Sequence, residues 1–451
     1  MRIGTVFVAL AASLFAVSIA VAGLYVLGRE HREPDVAAVA AQQRAPDAVT
    51  NELIAFYQTR IQRDPADFVS YTKLGQTYVR QARETGDLSA YDRAEAALTK
   101  ALEILPDHLD AQAALAGVHF ALHDFENALA LAEQVYAADP SATQALAVIA
   151  DAHLTLGNYE EARAAYAQLD AAVDGPPVDS RRSHVAYLDG DAGRAIDLME
   201  QAVEGSTGGN QSVESIAWYR AQLARLYLDT GRYDDAERWF AEALATLPGY
   251  PLALAGLGAV EAARGDDEEA VAYYERAVAA VPQPSWLAAL GDLYARAGDT
   301  EAARKQYETV EFIGELAEVN RVVYNRELAL FYADHEINTS TAVDLALREL
   351  EVRRDIYGFD AAAWALYKDG RADEAAPLME QALSLGTEDP RLLFHAGLIS
   401  RAVGDEELAR AHLERALDIS PHFSVLYEPE ARQALTALDA ERELAGAGGA
   451  R

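Results

Sequence analysis

A stack of paired helices with no strands is the fold the sequence predicts, and three observations predict it. Half the residues are hydrophobic (51%), yet aromatics make up only 8% and Ala dominates the apolar set. Ala is the strongest helix former, and its small side chain lets helices approach closely. No long Val/Ile/Thr alternation stands between turn residues, the pattern a half-buried strand would need. Finally, the chain nearly repeats itself: TGRYDDAERWFAEALATLPGY, from Thr230 to Tyr250, is followed one period later by RGDDEEAVAYYERAVAAVPQP, from Arg264 to Pro284. A chain of 451 residues is long for one compact core, and an elongated array accommodates the length.

The first element is a run without a single charge, Ile3 to Leu27. At ~1.5 Å per helical residue it is long enough to cross a hydrocarbon layer of ~30 Å. Ala20-Val21-Ala22 also has the small-x-small form of a signal cleavage site. Residues 1–28 are therefore expected to be a retained membrane anchor or a cleaved signal peptide, with the membrane met through residues 3–27. Arg2 and the amino terminus face Arg29 and Arg32 across the span, the latter two diluted by Glu30 and Glu33. The balance leans to an inside N-terminus and an exported body, or to a secreted one after cleavage. Residues 29–50, polar with Pro34 and Pro46, read as a linker.

Then the repeats begin. Gly157, Gly231, Gly265, Gly298 and Gly404 stand where a first helix should stop, since Gly accepts the left-handed turn. Asn158, Asp266, Asp299 and Asp405 follow directly, placed to cap the next helix. Ala162, Ala236, Ala270, Ala303 and Ala409 come five residues after the Gly, where a small side chain permits close approach. Four further on stand Tyr166, Phe240, Tyr274, Tyr307 and Leu413, large enough to plug the space between pairs. Pro140, Pro248, Pro282 and Pro421 stop the second helix.

This pattern resembles the tetratricopeptide repeat family, a helix-turn-helix of about 34 residues. The match runs Leu223, Ala224, Tyr227, Ala236, Phe240, Ala243, Pro248. One period later it reads Leu257, Gly258, Ala270, Tyr274, Ala277, Pro282, with Glu261 where an aromatic is expected, and then Leu290, Gly291, Tyr294, Ala303, Tyr307. Tyr324 to Leu383 is similar to stretches in uncharacterised bacterial membrane-anchored proteins of the family. The resemblance implies an all-α, right-handed α-solenoid of about ten units over residues 51–423. Irregular stretches VDGPPVDS and EGSTGGNQS divide it into an N-terminal array (51–209) and a C-terminal array (210–423) with a bend between them. The fourth copy has a poor first helix and the eighth a stretched turn. Residues 424–451 read as a capping helix and a frayed tail, since the last pair would otherwise expose its apolar face.

Composition excludes several chemistries. A formal charge of −34 argues against a nucleic-acid partner, which needs a basic stripe. The absence of Cys removes thiol catalysis, disulfides and Cys-ligated zinc. His119 and His123 are one turn apart but lack the Glu of a zinc-protease helix, and with His153 they fit packing positions. Glu327, His335 and Glu336 are acid–base groups with no accompanying nucleophile. No cofactor, metal or enzymatic activity is expected.

In stacked repeats of this family the second, fifth, ninth and twelfth positions of each first helix line a concave groove that holds peptides or helices. Here those positions nearly balance in charge, and fifth positions are repeatedly Ala, which leaves room for another backbone. Aromatics and Arg are the usual interface anchors. The groove candidates are Phe120, Asp151, Trp218, Arg225, Asp229, Asp292, Arg296, Phe394 and Arg401. The expected function is a membrane-anchored protein–protein interaction scaffold that takes a helical or extended partner segment; the alternative is an exported, chaperone-like assembly or maturation factor. No Lys is followed four residues later by Asn, so the carboxylate clamp that holds chaperone C-termini, and with it that partner, is not expected.

Overall fold

The computed structural model describes residues 48–208, 211–320 and 325–448. The expected membrane segment lies outside them, and among the described residues no helix is long and apolar enough to cross a membrane. Those residues form helices and turns, without strands. A leading helix, Ala48–Arg63, precedes ten helix pairs. Phe68–Thr85 with Ser89–Ile104 is the first pair, Pro390–Ala402 with Glu406–Ile419 the tenth, and Tyr427–Gly448 closes the array.

Each pair is held as the repeat pattern requires. Ala162, Ala236, Ala270, Ala303 and Ala409 are buried on the second helices. Four of the five plugs, Phe240, Tyr274, Tyr307 and Leu413, seat on a glycine of a first helix. A Cβ on Gly258 would lie 2.7 Å from the Tyr274 ring, and one on Gly397 would lie 2.6 Å from Leu413. Glycine there removes a side chain so that a large neighbour fills the gap, close-packing the interior without a void. Three expected caps form: Asp266, Asp299 and Asp405 accept from the backbone N–H of Glu269, Ala302 and Leu408. Asn158 does not cap. Its amide lies 3.4 Å from His153 Nδ1 instead.

One local expectation needs correction. The first helix of the fourth copy is a full 13 residues, Pro176–Leu188, because Pro at the first helical positions gives up an N–H that would have no partner there. One apolar cluster joins Met199 and Val203 of copy four to Tyr219, Leu223 and Tyr227 of copy five.

The ribbon of pairs curls until its two edges meet. The turn of copy three lies on the end of copy eight, where Arg354 N donates to Thr155 O (3.1 Å). A Cβ on Gly157 would collide with the Arg354 carbonyl. The turn of copy four meets the end of copy nine at Gly190 and Gly386. Copy five meets copy ten, where Tyr233 OH accepts from His422 N and bonds Ser420 Oγ, both at 3.1 Å. Copy one meets copy six at Gly86 and Val281. The offset is five copies each time, so five copies make one superhelical turn and successive turns touch.

The closing helix does more than cover an end. Tyr427 stacks on Phe394 with centroids 4.7 Å apart, and its OH donates to Asp334 Oδ1 (2.7 Å), which also accepts from Trp364 Nε1 (2.7 Å). Ala431, Ala434 and Leu438 continue the same buried stripe. Copies eight, nine and ten are thereby tied to one helix.

Candidate functional site: the lumen of the coil

Because successive turns touch, the concave face is walled on both sides. It forms a half-open lumen of about 1090 Å³, lined by first helices of copies two to five from one turn and eight to ten from the next. Arg83 of copy one and Ser285 of copy seven also reach it.

Five of the nine groove candidates stand on its wall: Phe120, Asp151, Trp218, Arg225 and Asp229. Asp151 is held by Arg181, through Nη2 at 2.8 Å and Nε at 2.9 Å, and by Tyr166 OH at 2.9 Å. The other four lie elsewhere. Phe394 is fully buried beneath Tyr427, and Arg401 pairs with Glu441 of the closing helix at 2.8 Å. That helix occupies the inner face of copy ten, which is why those two do not face the lumen. Asp292 is bonded to His335 Nε2 and Tyr307 OH, each at 2.8 Å, inside the packing of copies seven and eight. Arg296 pairs with Asp267 of the preceding copy.

The wall also contains residues that the sequence reading passed over. Pro177, Ser180, His184 and Tyr187 hold the second, fifth, ninth and twelfth positions of the fourth copy, and all four line the lumen. The same register in the ninth copy gives Tyr357 and Asp360, also lumen residues. The register that places Trp218 and Arg225 reaches these residues as well.

Electrostatically the lumen differs from the rest of the molecule. Six arginines face seven carboxylates on its wall, whereas the chain carries 38 basic against 72 acidic residues. The acid excess therefore lies mainly on outer surfaces. Most lumen charges are paired: Arg181 with Asp151, Arg353 with Asp355 at 3.4 Å, and His395 Nδ1 with Asp360 Oδ1 at 2.8 Å. Burial pushes the His184 imidazole below its ordinary range, favouring its neutral form.

The seam between copies five and ten carries two more long pairs. Arg225 Nε stands 3.5 Å from Asp229, and Arg391 Nη2 stands 3.3 Å from Asp389. Burial raises Asp229 above the usual carboxylate range, and nearby Asp389 adds to the rise, against the opposing pull of Arg225 and Arg391. Asp389 is also buried, but the Arg391 charge and hydrogen bonds outweigh this and hold it low. Asp229 keeps 20% of its side-chain surface open on the lumen wall.

Family models described as tetratricopeptide repeat match residues 119–180, 221–285 and 361–422. Over those residues the chain is built of tetratricopeptide repeats. Its repeats are those of a protein–protein interaction scaffold. No curated protein matches the sequence. Among solved structures, the chain is similar to the human IFIT1 dimer with PPP-AAAA at 15% identity, over 83% of this chain and 95% of that one, with a TM-score of 0.45. It is similar to the type IV pilus biogenesis factor PilW at 18% identity, over 46% and 93%, with a TM-score of 0.39. A tetratricopeptide repeat protein from Parabacteroides merdae matches at 15% identity, over 58% and 98%, with a TM-score of 0.34.

Proposed function

We propose that this tetratricopeptide repeat protein is a membrane-anchored scaffold that takes a short segment of a partner protein into its lumen. One observation carries the reading: contact between turns five copies apart converts the repeat groove into a walled space lined by Trp218, Phe120 and Arg225. A volume of about 1090 Å³ is close to that of pockets for drug-sized ligands, roughly 300–1,000 Å³. It accommodates a short segment and not a folded domain. The uncharged run from Ile3 to Leu27 supports attachment to a membrane, with the array exported.

Photo-crosslinking tests the lumen directly. A photoreactive residue is placed at Trp218, on the wall, and in a separate protein at Leu408, exposed on the second helix of copy ten. A discrete crosslinked partner should appear from position 218 only, and Arg225→Ala should weaken it. Equal crosslinking from both positions, or indifference to Arg225→Ala, would place binding outside the lumen.

A further inference from the structure

The end of copy eight, which lies on the turn of copy three, also reaches the turn of copy two. Copies three to seven, nine and ten hold this turn with a glycine, at φ from +71° to +86°. Copy two holds it with His123, at φ +63°, a conformation that is costly for a residue with a Cβ. Such strain persists only where the surroundings over-determine it, and it gathers at switch regions. Here the surroundings are aromatic. The His123 ring stacks on Phe125 with centroids 5.5 Å apart, and Phe125 meets the lumen-wall Phe120 edge to face at 5.2 Å. From copy eight, the Arg353 guanidinium lies over the same Phe125 ring, 5.6 Å from its centre. Imidazole and guanidinium thus share one ring across the seam. His123 Nδ1 and Arg353 Nε are both buried and have no hydrogen-bond partner among the described residues. The next residue, Arg354, makes the backbone bond to Thr155 that joins the two turns.

We propose that this seam is an acid-released latch: protonation of His123 sets a second cation beside Arg353, parts the turns next to the lumen and frees the segment held there. The release step rests on the lumen being the binding site. The charges around His123 leave the new cation uncompensated. Arg353 is already shared between Glu349 at 3.6 Å and Asp355 at 3.4 Å. Asp124, on the same turn as His123, faces His119 at 3.3 Å. On the first helix of copy eight, Arg326 and Glu327 pair at 3.7 Å, and their charges act on His123 in opposite directions. Burial first, and the Arg353 charge next, lower the His123 pKa from 6.5 to about 4. Parting the turns returns the imidazole to water and towards its ordinary value. Because the pKa is depressed in the closed state, closure is fully stabilised above pH ~6.5 and weakens as pH falls towards 4. The opening equilibrium should rise more than about tenfold between pH 7.5 and pH 5.

Hydrogen exchange of the Arg354 amide in the full-length chain, without partner, reads the latch directly. Its protection factor, referred to the intrinsic exchange rate at each pH, should fall more than about tenfold from pH 7.5 to pH 5. His123→Gly installs the residue that the other copies use at this turn, so the fold is kept while the imidazole is removed. In that variant the protection factor should be the same at both pH values. Glu349 and the other titrating groups remain in both proteins, so the comparison isolates His123. The photo-crosslink from position 218 is then read at both pH values. It should be lost at pH 5 in the wild type and kept in His123→Gly. Protection that does not change with pH in the wild type, or an equal fall in His123→Gly, overturns the latch and leaves the lumen standing. A latch that opens at pH 5 while the position-218 crosslink keeps its full yield overturns the lumen as the seat of the segment, and the release step with it.

Discussion

Replacing Gly157 by Ala should separate two turns of the coil, and the array contains its own control. Gly157 and Gly265 occupy equivalent turns with nearly equal φ, +77° and +81°. Either Ala variant meets the left-handed penalty of ~1–2 kcal/mol, partly offset by ~0.4–1 kcal/mol from a stiffer unfolded chain. Gly265 has open space around it, so Gly265→Ala should cost only this difference, about 1 kcal/mol. At Gly157 the new methyl runs into the Arg354 carbonyl oxygen, with Arg354 C at 3.1 Å and Cβ at 3.2 Å. The obstacle is backbone, so relief requires the turns to move apart. Overpacking of this kind adds ~1–3 kcal/mol, and Gly157→Ala should cost about 2–4 kcal/mol in all. Movement apart also breaks the bond from Arg354 N to Thr155 O. Hydrogen exchange should therefore accelerate at the Arg354 amide in Gly157→Ala and not in Gly265→Ala, and small-angle scattering should show a larger radius of gyration. Equal stability loss in the two variants, with Arg354 exchange unchanged, would refute contact between turns and return the lumen to an open groove.

Two further perturbations probe the repeat interior. Phe240→Ala should cost ~3–5 kcal/mol, because Phe240 is 2% exposed and the facing Gly256 has no side chain to fill the void. In a solenoid the lost protection should stay near copies five and six, and uniform loss along the chain would contradict this. His335 reports on pH. Burial lowers its proton affinity, but bonds to Asp292 and to the Phe331 carbonyl, with the Asp292 and Asp334 charges, outweigh it and raise the pKa above 6.5. A raised folded-state pKa stabilises fully below pH ~6.5 and loses its effect as pH rises through the folded value. The melting-temperature advantage of wild type over His335→Gln should thus shrink from pH 6 to pH 9. An advantage that is flat or growing over that range would show that the imidazolium does not matter.

The helix pairs were legible because each of their causes is local. Tyr274 on Gly258, Leu413 on Gly397 and the capping aspartates are decided within one copy, and the pattern recurs often enough to be read. Closure of the coil is decided elsewhere. The edges meet only if the rotations at five successive interfaces add to a full circle. Packing angles between helices scatter by ~15–20°, so small changes in side-chain size at each interface determine whether Gly157 touches Arg354 or stands free. No single residue encodes that sum, and the sequence therefore predicted a groove where the structure has a lumen.

The candidate residues divide for a similar reason. Trp218 and Arg225 sit on regular copies, where register alone places them. Tyr187, Asp360 and Tyr357 hold the same lumen register on copies four and nine. Phe394 went the other way, and here the sequence held the correction. Tyr427, Ala431, Ala434 and Leu438 follow the four-three-four spacing of a buried helix stripe. A closing helix with such a stripe must cover apolar surface, and the nearest was the inner face of copy ten, where Phe394 and Leu398 lie. A terminal helix thus removes from the lumen Phe394 and Arg401, two positions that an unbroken repeat register would have assigned to it, and leaves Arg391 on the wall.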